Sequence, residues 1–322
     1  MNFWKTLKKP FIALAPMEGV TDYVFREIVA TKLPKPDVMF TEFTNVDALN
    51  SDGFEKTISR FKFSKNQRPI IAQIWGTNLE NFYKSAKLIS KLGFDGIDIN
   101  MGCPVHDVMK IGAGSALINS RSLVKKIISS VKKGSEELPV SVKTRLGTKE
   151  IITNDWITFL LEQKINALTI HGRVSKQMSG GLADWEEIGK AVQLKNKISP
   201  STKIIGNGDI ESYSQALEMY KKYNVDGIMI ARGIFKNPWV FDSKTQEHLK
   251  EEYVAVLQKH LDLYEKTWGD TKSFDPMKKF FKMYINNFPR ASVLRQKLME
   301  TKTIKEAKTL LLLQEEKMLQ HI

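Results

Sequence analysis

The only cysteine of the chain, Cys103, stands inside GIDINMGCPVHDVMKIGAGSA (residues 96–116), just after an apolar β-type run and between Gly102 and Pro104. The thiol is therefore placed where a strand ends and the chain must turn, which is where a β/α barrel keeps its chemistry. A lone cysteine is more often a small buried hydrophobe. Here its neighbours set it apart, because Asn100 brings a polar amide, Gly102 and Pro104 a flexible and a rigid joint, and Gly112-Ala113-Gly114 a second permissive stretch.

Further polar residues recur at the ends of β-type runs: Pro16, Met17 and Glu18; Gln73; Asn100 and Cys103; Lys143 and Arg145; His171 and Arg173; Asn207, Gly208 and Asp209; and Arg232. Singly, each has a plain structural reading, such as a tied backbone group, a satisfied core histidine or a snorkelling lysine. Recurrence after six or more runs points to one shared face. GNGD at 206–209 and ARG at 231–233 put small residues where main-chain amides approach a phosphate, with Arg232 as a bidentate partner. Lys143 could balance negative charge on an electron-rich ring, and together these features point to flavin mononucleotide (FMN). No metal is expected, since five histidines and one cysteine show none of the usual ligand spacings. GxxxxGK[ST] and GxGxxG are both missing, so a pyridine nucleotide would visit without a dedicated Rossmann domain.

To hold these residues on one face, the chain offers eight β-type runs: FIALAP, VMFTEF, PIIAQIWG, GIDINMG, PVSVKTRLG, ALTIHGR, KIIGNGDI and GIMIARG. Amphipathic segments at 79–92, 122–133, 154–163, 185–194 and 212–223 lie between them, with helix starts marked by Thr77-Asn78, Asn119, Thr153-Asn154, Asp184 and Glu211-Ser212, mostly good N-cap residues. This alternation predicts an α/β fold, a (β/α)8 TIM barrel over 1–242, followed by a small all-helical C-terminal domain over 243–322. The 322 residues suffice for that core.

The chain carries 49 Lys+Arg against 36 Asp+Glu, a net charge of +13, and such a field favours a polyanion such as nucleic acid. Between Lys272 and Lys308 ten basic residues face three acidic ones, an excess of +7, and Phe274, Phe280, Phe281, Tyr284 and Phe288 interleave with them. Aromatics at helical spacing are more often core than base-stacking platforms. One cysteine agrees with a reducing, cytoplasmic setting. The first apolar run is too short for a signal or a membrane span, so a protein without membrane association is expected.

In sequence the chain resembles the tRNA-dihydrouridine synthases. The resemblance rests on APMEGVTD (15–22), TEF (41–43), QIWG (73–76), DINMGCP (98–104), GAGSAL (112–117), PVSVKTRLG (139–147), HGR (171–173), ADW (183–185), NGDI (207–210) and ARG (231–233). It implies a flavin enzyme with a helical tRNA-binding domain. By resemblance, Pro16, Met17, Glu18, Gln73, Lys143, His171, Asn207, Gly208, Asp209, Ala231 and Arg232 hold FMN. Asn100, with Arg145 and Arg173, meets the substrate, and Cys103 is the acid. NADPH or NADH would reduce the flavin, hydride would pass to C6 of a uridine, and the thiol would protonate C5. No obligatory protein partner is implied.

The chain departs from the family pattern at Asp107, Val174, Ser175 and Ser179, near the substrate side. Two other readings are open: another FMN-dependent barrel reductase of a small molecule, akin to dihydroorotate or ene reductases, which has no need of a basic tail, and a non-catalytic tRNA-binding protein, which has no need of Cys103, Lys143 and His171.

Overall fold

The computed structural model describes residues 2–319 except 245, 270 and 287, with side chains to 313. Its strands are β1 Phe11–Leu14, β2 Val38–Phe40, β3 Ile70–Trp75, β4 Gly96–Met101, β5 Val140–Arg145, β6 Ala167–His171, β7 Lys203–Asn207 and β8 Gly227–Ile230. All pair in parallel with their neighbours in chain order, and β8 returns to β1 with Ile228 opposite Ile12, which closes an eight-stranded barrel. A two-residue strand, Thr44–Asn45, prolongs β2 and pairs with the end of β3. These strands read as apolar runs because both faces are covered, the inner by the barrel's own filling and the outer by helices.

The outer helices are α1 Tyr23–Thr31, α2 Leu79–Lys91, α3 Arg121–Gly134, α4 Thr153–Glu162, α5 Trp185–Ile198 and α6 Tyr213–Tyr223. Asp22, Asn78, Asp184 and Ser212 cap α1, α2, α5 and α6 by accepting from a main-chain N–H of the first turn. The caps expected at Asn119 and at Thr153-Asn154 are not used. Ser120 precedes α3 without a side-chain cap, and Ile152 precedes α4 with its N–H held by Leu146 O at 2.9 Å, so the loop rather than a polar side chain sets that helix start.

Behind the phosphate-type loop, Trp185 packs against Gly206 and donates its indole N–H to Gly208 O at 3.1 Å. A Cβ on Gly206 would sit 2.3 Å from the Trp185 ring. Gly206→Ala is therefore expected to push that ring aside and lower the denaturation midpoint by the equivalent of about 1–3 kcal/mol; an unchanged midpoint in urea would show that the ring yields freely.

After β8 comes only a four-residue helix, Gly233–Lys236, and then α7 Lys250–Trp268, α8 Asp275–Tyr284, α9 Ala291–Glu300 and α10 Ile304–Leu319. The tail is helical as expected, and Phe280, Phe281 and Tyr284 are buried, so these aromatics are core. The hydrophobic core does not stop at the chain's passage near Asp242. Phe280 of α8 stacks on Phe25 of α1 at 5.0 Å, and Trp268 Nε1 donates to the α1 cap, Asp22, at 3.1 Å. The tail thus covers a barrel face that the short segment after β8 leaves open.

Candidate active site

At the C-terminal ends of the strands lies a cavity of about 1100 Å³. Alternation along the strands turns Lys143, His171 and Asn207 to the inside, and the register places Asn100 opposite Lys143 and His171 between Arg145 and Asn207. Pro16 and Met17, then Lys143, Arg145, His171 and Arg173, then Asn207, Gly208 and Asp209, and finally Ala231 and Arg232, all line it. Glu18, Gln73, Asn100 and Cys103 are not among its lining residues. Lys279, Lys282 and Asn286 from the helical tail close the far wall, with Lys236 beside them.

Cys103 is 9% exposed, packed with Val108 and Ala113 against Phe43 and Trp75. Burial raises its pKa above the usual thiol value, although the Val105 N–H bonded to sulfur and the charges of Arg145 and Lys143 pull the other way. The glycine stretch that follows is required by this packing: Gly114 has φ +58°, and a Cβ there would lie 2.6 Å from Cys103 O. Main-chain N–H groups of Gly102 (3.1 Å) and Cys103 (2.9 Å) donate to Asn100 Oδ1. Asn100 Nδ2 donates to Gln73 Oε1 at 3.0 Å, and Gln73 Nε2 to Asp98 Oδ2 at 2.7 Å.

The two arginines expected to meet substrate turn most of their donors to the protein. Arg145 donates to the carbonyls of Gly102 (2.8 Å), Val174 (3.1 Å) and Met178 (2.9 Å), which ties the cysteine loop to the loop after β6. Arg173, 2% exposed, donates to Gly180 O (3.1 Å), Gly181 O (2.6 Å) and the Asp209 carboxylate (2.7 Å). Its Nη1 also lies 3.1 Å from His171 Nε2. A guanidinium can only donate, so that nitrogen accepts and the imidazole carries its proton on Nδ1. Burial and the charges of Lys143, Arg145, Arg173 and Arg232 push the His171 pKa down to about 2, which keeps the ring neutral.

Glu18 is held outside the cavity lining by a fork of Arg60, at 2.7 and 2.8 Å, a partner 42 residues away that no motif marks. Of the departures from the family pattern, Val174 and Ser175 are buried, Asp107 is exposed, and Ser179 lines the cavity. Lys236, Lys279 and Lys282 join the site without any signal of their own in the sequence. Lys279 and Lys282 belong to the tail's basic run, and only the fold brings them to the barrel mouth.

The residues fit a flavin phosphate and an electron-rich ring. Gly208, with φ +132°, could not carry a Cβ, which would meet Ala183 at 2.5 Å, and Arg232 is well exposed with its nearest carboxylate, Asp209, 3.9 Å away. Lys143 is enclosed by protein but open to the cavity. Its amine reaches Asn207 Oδ1 at 3.2 Å, and no carboxylate pairs with it among the described residues. Burial, helped by Arg145 and opposed by Asp98 and Cys103, lowers its pKa to about 8.

Holding a charged lysine there costs stability. A base whose folded-state pKa lies below its unfolded value destabilises fully below the folded value, and the penalty disappears as pH rises to the unfolded one. Lys143→Met is therefore expected to stabilise the flavin-free protein by on the order of 2 kcal/mol at pH 7, the gain shrinking between pH 8 and about 10.4, while flavin chemistry is lost. A destabilised, still active Met variant would overturn this assignment.

The described residues hold no cluster of metal-ligand type and no helix long and apolar enough to cross a membrane. A family model described as dihydrouridine synthase matches residues 13–322. A probable tRNA-dihydrouridine synthase of Staphylococcus aureus (strain COL) is 44% identical over 313 residues, 96% of this chain and 94% of that protein. Probable tRNA-dihydrouridine synthase 2 of Bacillus subtilis (strain 168) is 42% identical, with 96% and 95% covered. In fold, the chain is similar to a 2-naphthoyl-CoA reductase (TM-score 0.55, 9% identity, 74% of this chain and 52% of that one). It is likewise similar to an old yellow enzyme homologue from Zymomonas mobilis (TM-score 0.50, 13% identity, 75% and 91%). A match that runs from β1 through the helical tail, at more than two-fifths identity, places the chain in the dihydrouridine synthase family.

Proposed function

We propose that this protein reduces a uridine of tRNA to 5,6-dihydrouridine, with FMN in the cavity, NADPH (or NADH) as electron donor and Cys103 as proton donor. The observation that carries the reading is Lys143, an enclosed cation without a carboxylate partner among the described residues, set in register opposite Asn100 on the strand that leads to Cys103, at the mouth of a phosphate-type cavity. When bound, the flavin accepts electrons from the nicotinamide and supplies hydride to C6 of the uracil.

The chain's own residues do the rest. The main chain of Gly208, Asp209 and Ala231, with Arg232, takes the phosphate, while the Asp209 carboxylate stays with Arg173 and keeps the loop in shape. Lys143 balances negative charge on the ring, and Pro16, Met17, His171 and Asn207 complete its seat, with Gln73 behind the lining as the residue that holds Asn100. Glu18, paired with Arg60, holds the loop after β1. Cys103 gives its proton to C5. Because burial raises its pKa, the proton is present at neutral pH, and the Val105 N–H and two nearby cations steady the thiolate left behind. Asn100 seats the uracil, which must leave its stack to reach this depth. Arg145 and Arg173 shape the substrate side by holding its loops.

Residues 243–322 form the proposed tRNA-binding part, and Lys236, Lys279 and Lys282 bring its positive field to the cavity rim. A cytoplasmic setting belongs to the same proposal. Dihydrouridine mapping of tRNA from cells with and without the protein tests it, and an unchanged map would reject it. The purified protein is also expected to be yellow and to release FMN on denaturation; a colourless preparation that takes up no added FMN would remove the enzyme reading.

A further inference from the structure

Asp98 belongs to no role assigned so far. It is 0% exposed on β4, accepts from Ser141 Oγ at 2.6 Å and from Gln73 Nε2 at 2.7 Å, and begins the run of side chains that ends at Cys103. We propose that Asp98 is a positioning residue for the proton donor: its carboxylate sets the direction of a three-link hydrogen-bond chain that holds the main chain at Cys103 and leaves Asn100 able only to donate. The proposal rests on the reading of Cys103 as proton donor.

Each end of the chain fixes a direction. At one end a main-chain N–H can only donate. At the other, Asp98 accepts from both Ser141 Oγ and Gln73 Nε2; burial raises its pKa to about 6, opposed by the Ser141 and Gln73 hydrogen bonds and by Lys143, and above that pH the carboxylate can only accept. The two amides between must then run one way. Turning Asn100 would set an NH2 group against the Gly102 and Cys103 N–H groups, and turning Gln73 would set its carbonyl against the carboxylate. Each error would leave buried polar groups unpaired.

One consequence reaches the substrate. Asn100 Oδ1 already accepts from two N–H groups, so both its lone pairs are used, and the side chain can offer only the second hydrogen of Nδ2. Such a group suits the carbonyl at C4 of uracil and not the amino group of cytosine.

Cys103 is the only cysteine, so alkylation of flavin-free protein by iodoacetamide reads this thiol alone. Asp98→Leu removes the acceptor at similar size. Asp98→Asn can still accept from Gln73 while its amide donates to the Ser141 hydroxyl, so it keeps the geometry and removes the charge. Asp98→Leu is expected to alkylate faster than wild type and to slow tRNA-dependent oxidation of the reduced enzyme by about a hundredfold, in kcat more than KM, as a displaced group does. Asp98→Asn should return both rates most of the way to wild type. An unchanged alkylation rate in Asp98→Leu, or an Asp98→Asn variant as impaired as the leucine one, overturns the proposal. If Asp98→Leu does not fold, Asp98→Asn decides: near-wild-type alkylation and oxidation support the acceptor role, and faster alkylation or slower oxidation overturns it. A wild type that forms no dihydrouridine would reject the reaction instead, and alkylation would still decide the positioning.

Discussion

Cys103→Ala is expected to keep its flavin and the rate at which NADPH reduces it, yet to lose about 10²- to 10⁴-fold in the oxidation of reduced enzyme by tRNA, the usual loss when a positioned general acid is removed. The two half-reactions use different groups. Reduction draws on the phosphate grip at Gly208 to Arg232 and on Lys143, none of which depends on the thiol. Cys103 packs in a cluster with Val108 and Ala113 that Phe43 and Trp75 flank, and none of these five lines the cavity, so removal of sulfur leaves that lining in place. Cys103→Ser should fall between alanine and wild type, since a hydroxyl can occupy the Val105 N–H but gives up its proton less readily. The acid works only while protonated, so wild-type oxidation should decline as pH rises through the raised thiol pKa. Stopped-flow measurement of each half-reaction decides it. Equal slowing of both would mean that Cys103 supports the fold or the flavin seat, and unchanged oxidation by tRNA would mean that another group donates the proton.

The legible part of the molecule follows from local physics. Buried parallel strands show as apolar runs, so all eight are visible in the sequence, and residues at their C-terminal ends necessarily share a face once the runs close into a barrel. Lys143, His171 and Asn207 are picked out in this way; in the fold His171 stands opposite Asn207, and the Lys143 amine reaches Asn207 Oδ1 at 3.2 Å. Contacts between distant segments are not visible. Arg60 reaches Glu18 across 42 residues, and the Lys279 amine meets Gly19 O across 260, with no pattern in either segment to announce the other. Arg145 and Arg173 show a different limit. Their position at a strand end suggests contact with substrate, but whether a guanidinium faces a ligand or nearby carbonyls is decided by loops whose course the sequence does not display. Asp98 gives no signal of its own, because an acidic residue inside an apolar run has no visible partner until β3 and β5 flank it.

Phe280→Ala should produce the largest loss of stability, because the ring joins three parts of the molecule. It stacks on Phe25 of α1 at 5.0 Å, on Phe235 in the helix after β8 at 6.1 Å, and packs at 4.7 Å against the buried His260 of α7. Helical periodicity in the tail shows which face is apolar but not what that face covers, so the tail reads from sequence as a unit with its own core. The structure gives it a second task. After β8 the chain supplies only Gly233–Lys236 as an outer helix, and α7 and α8 lie over the exposed side of α1 in its place. Removing the Phe280 ring leaves a void between barrel and tail, and such truncations cost about 3–5 kcal/mol. A denaturation midpoint lowered by that amount in Phe280→Ala, with flavin content following the folded fraction, is the expected result. By the same reasoning, a chain ended after Phe241 should aggregate or melt early, since Phe25 would lose the cover of His260 and Phe280 and the α1 cap Asp22 its bond from Trp268. The fair probe of tRNA binding is therefore the pair Lys279→Ala and Lys282→Ala in the full chain, which should fold normally and flatten the salt dependence of binding by about one unit for each phosphate that is no longer neutralised. A truncated barrel as stable as the whole chain, together with a Phe280→Ala midpoint unchanged from wild type, would mean that the tail merely rests on the barrel and that α1 is held from within.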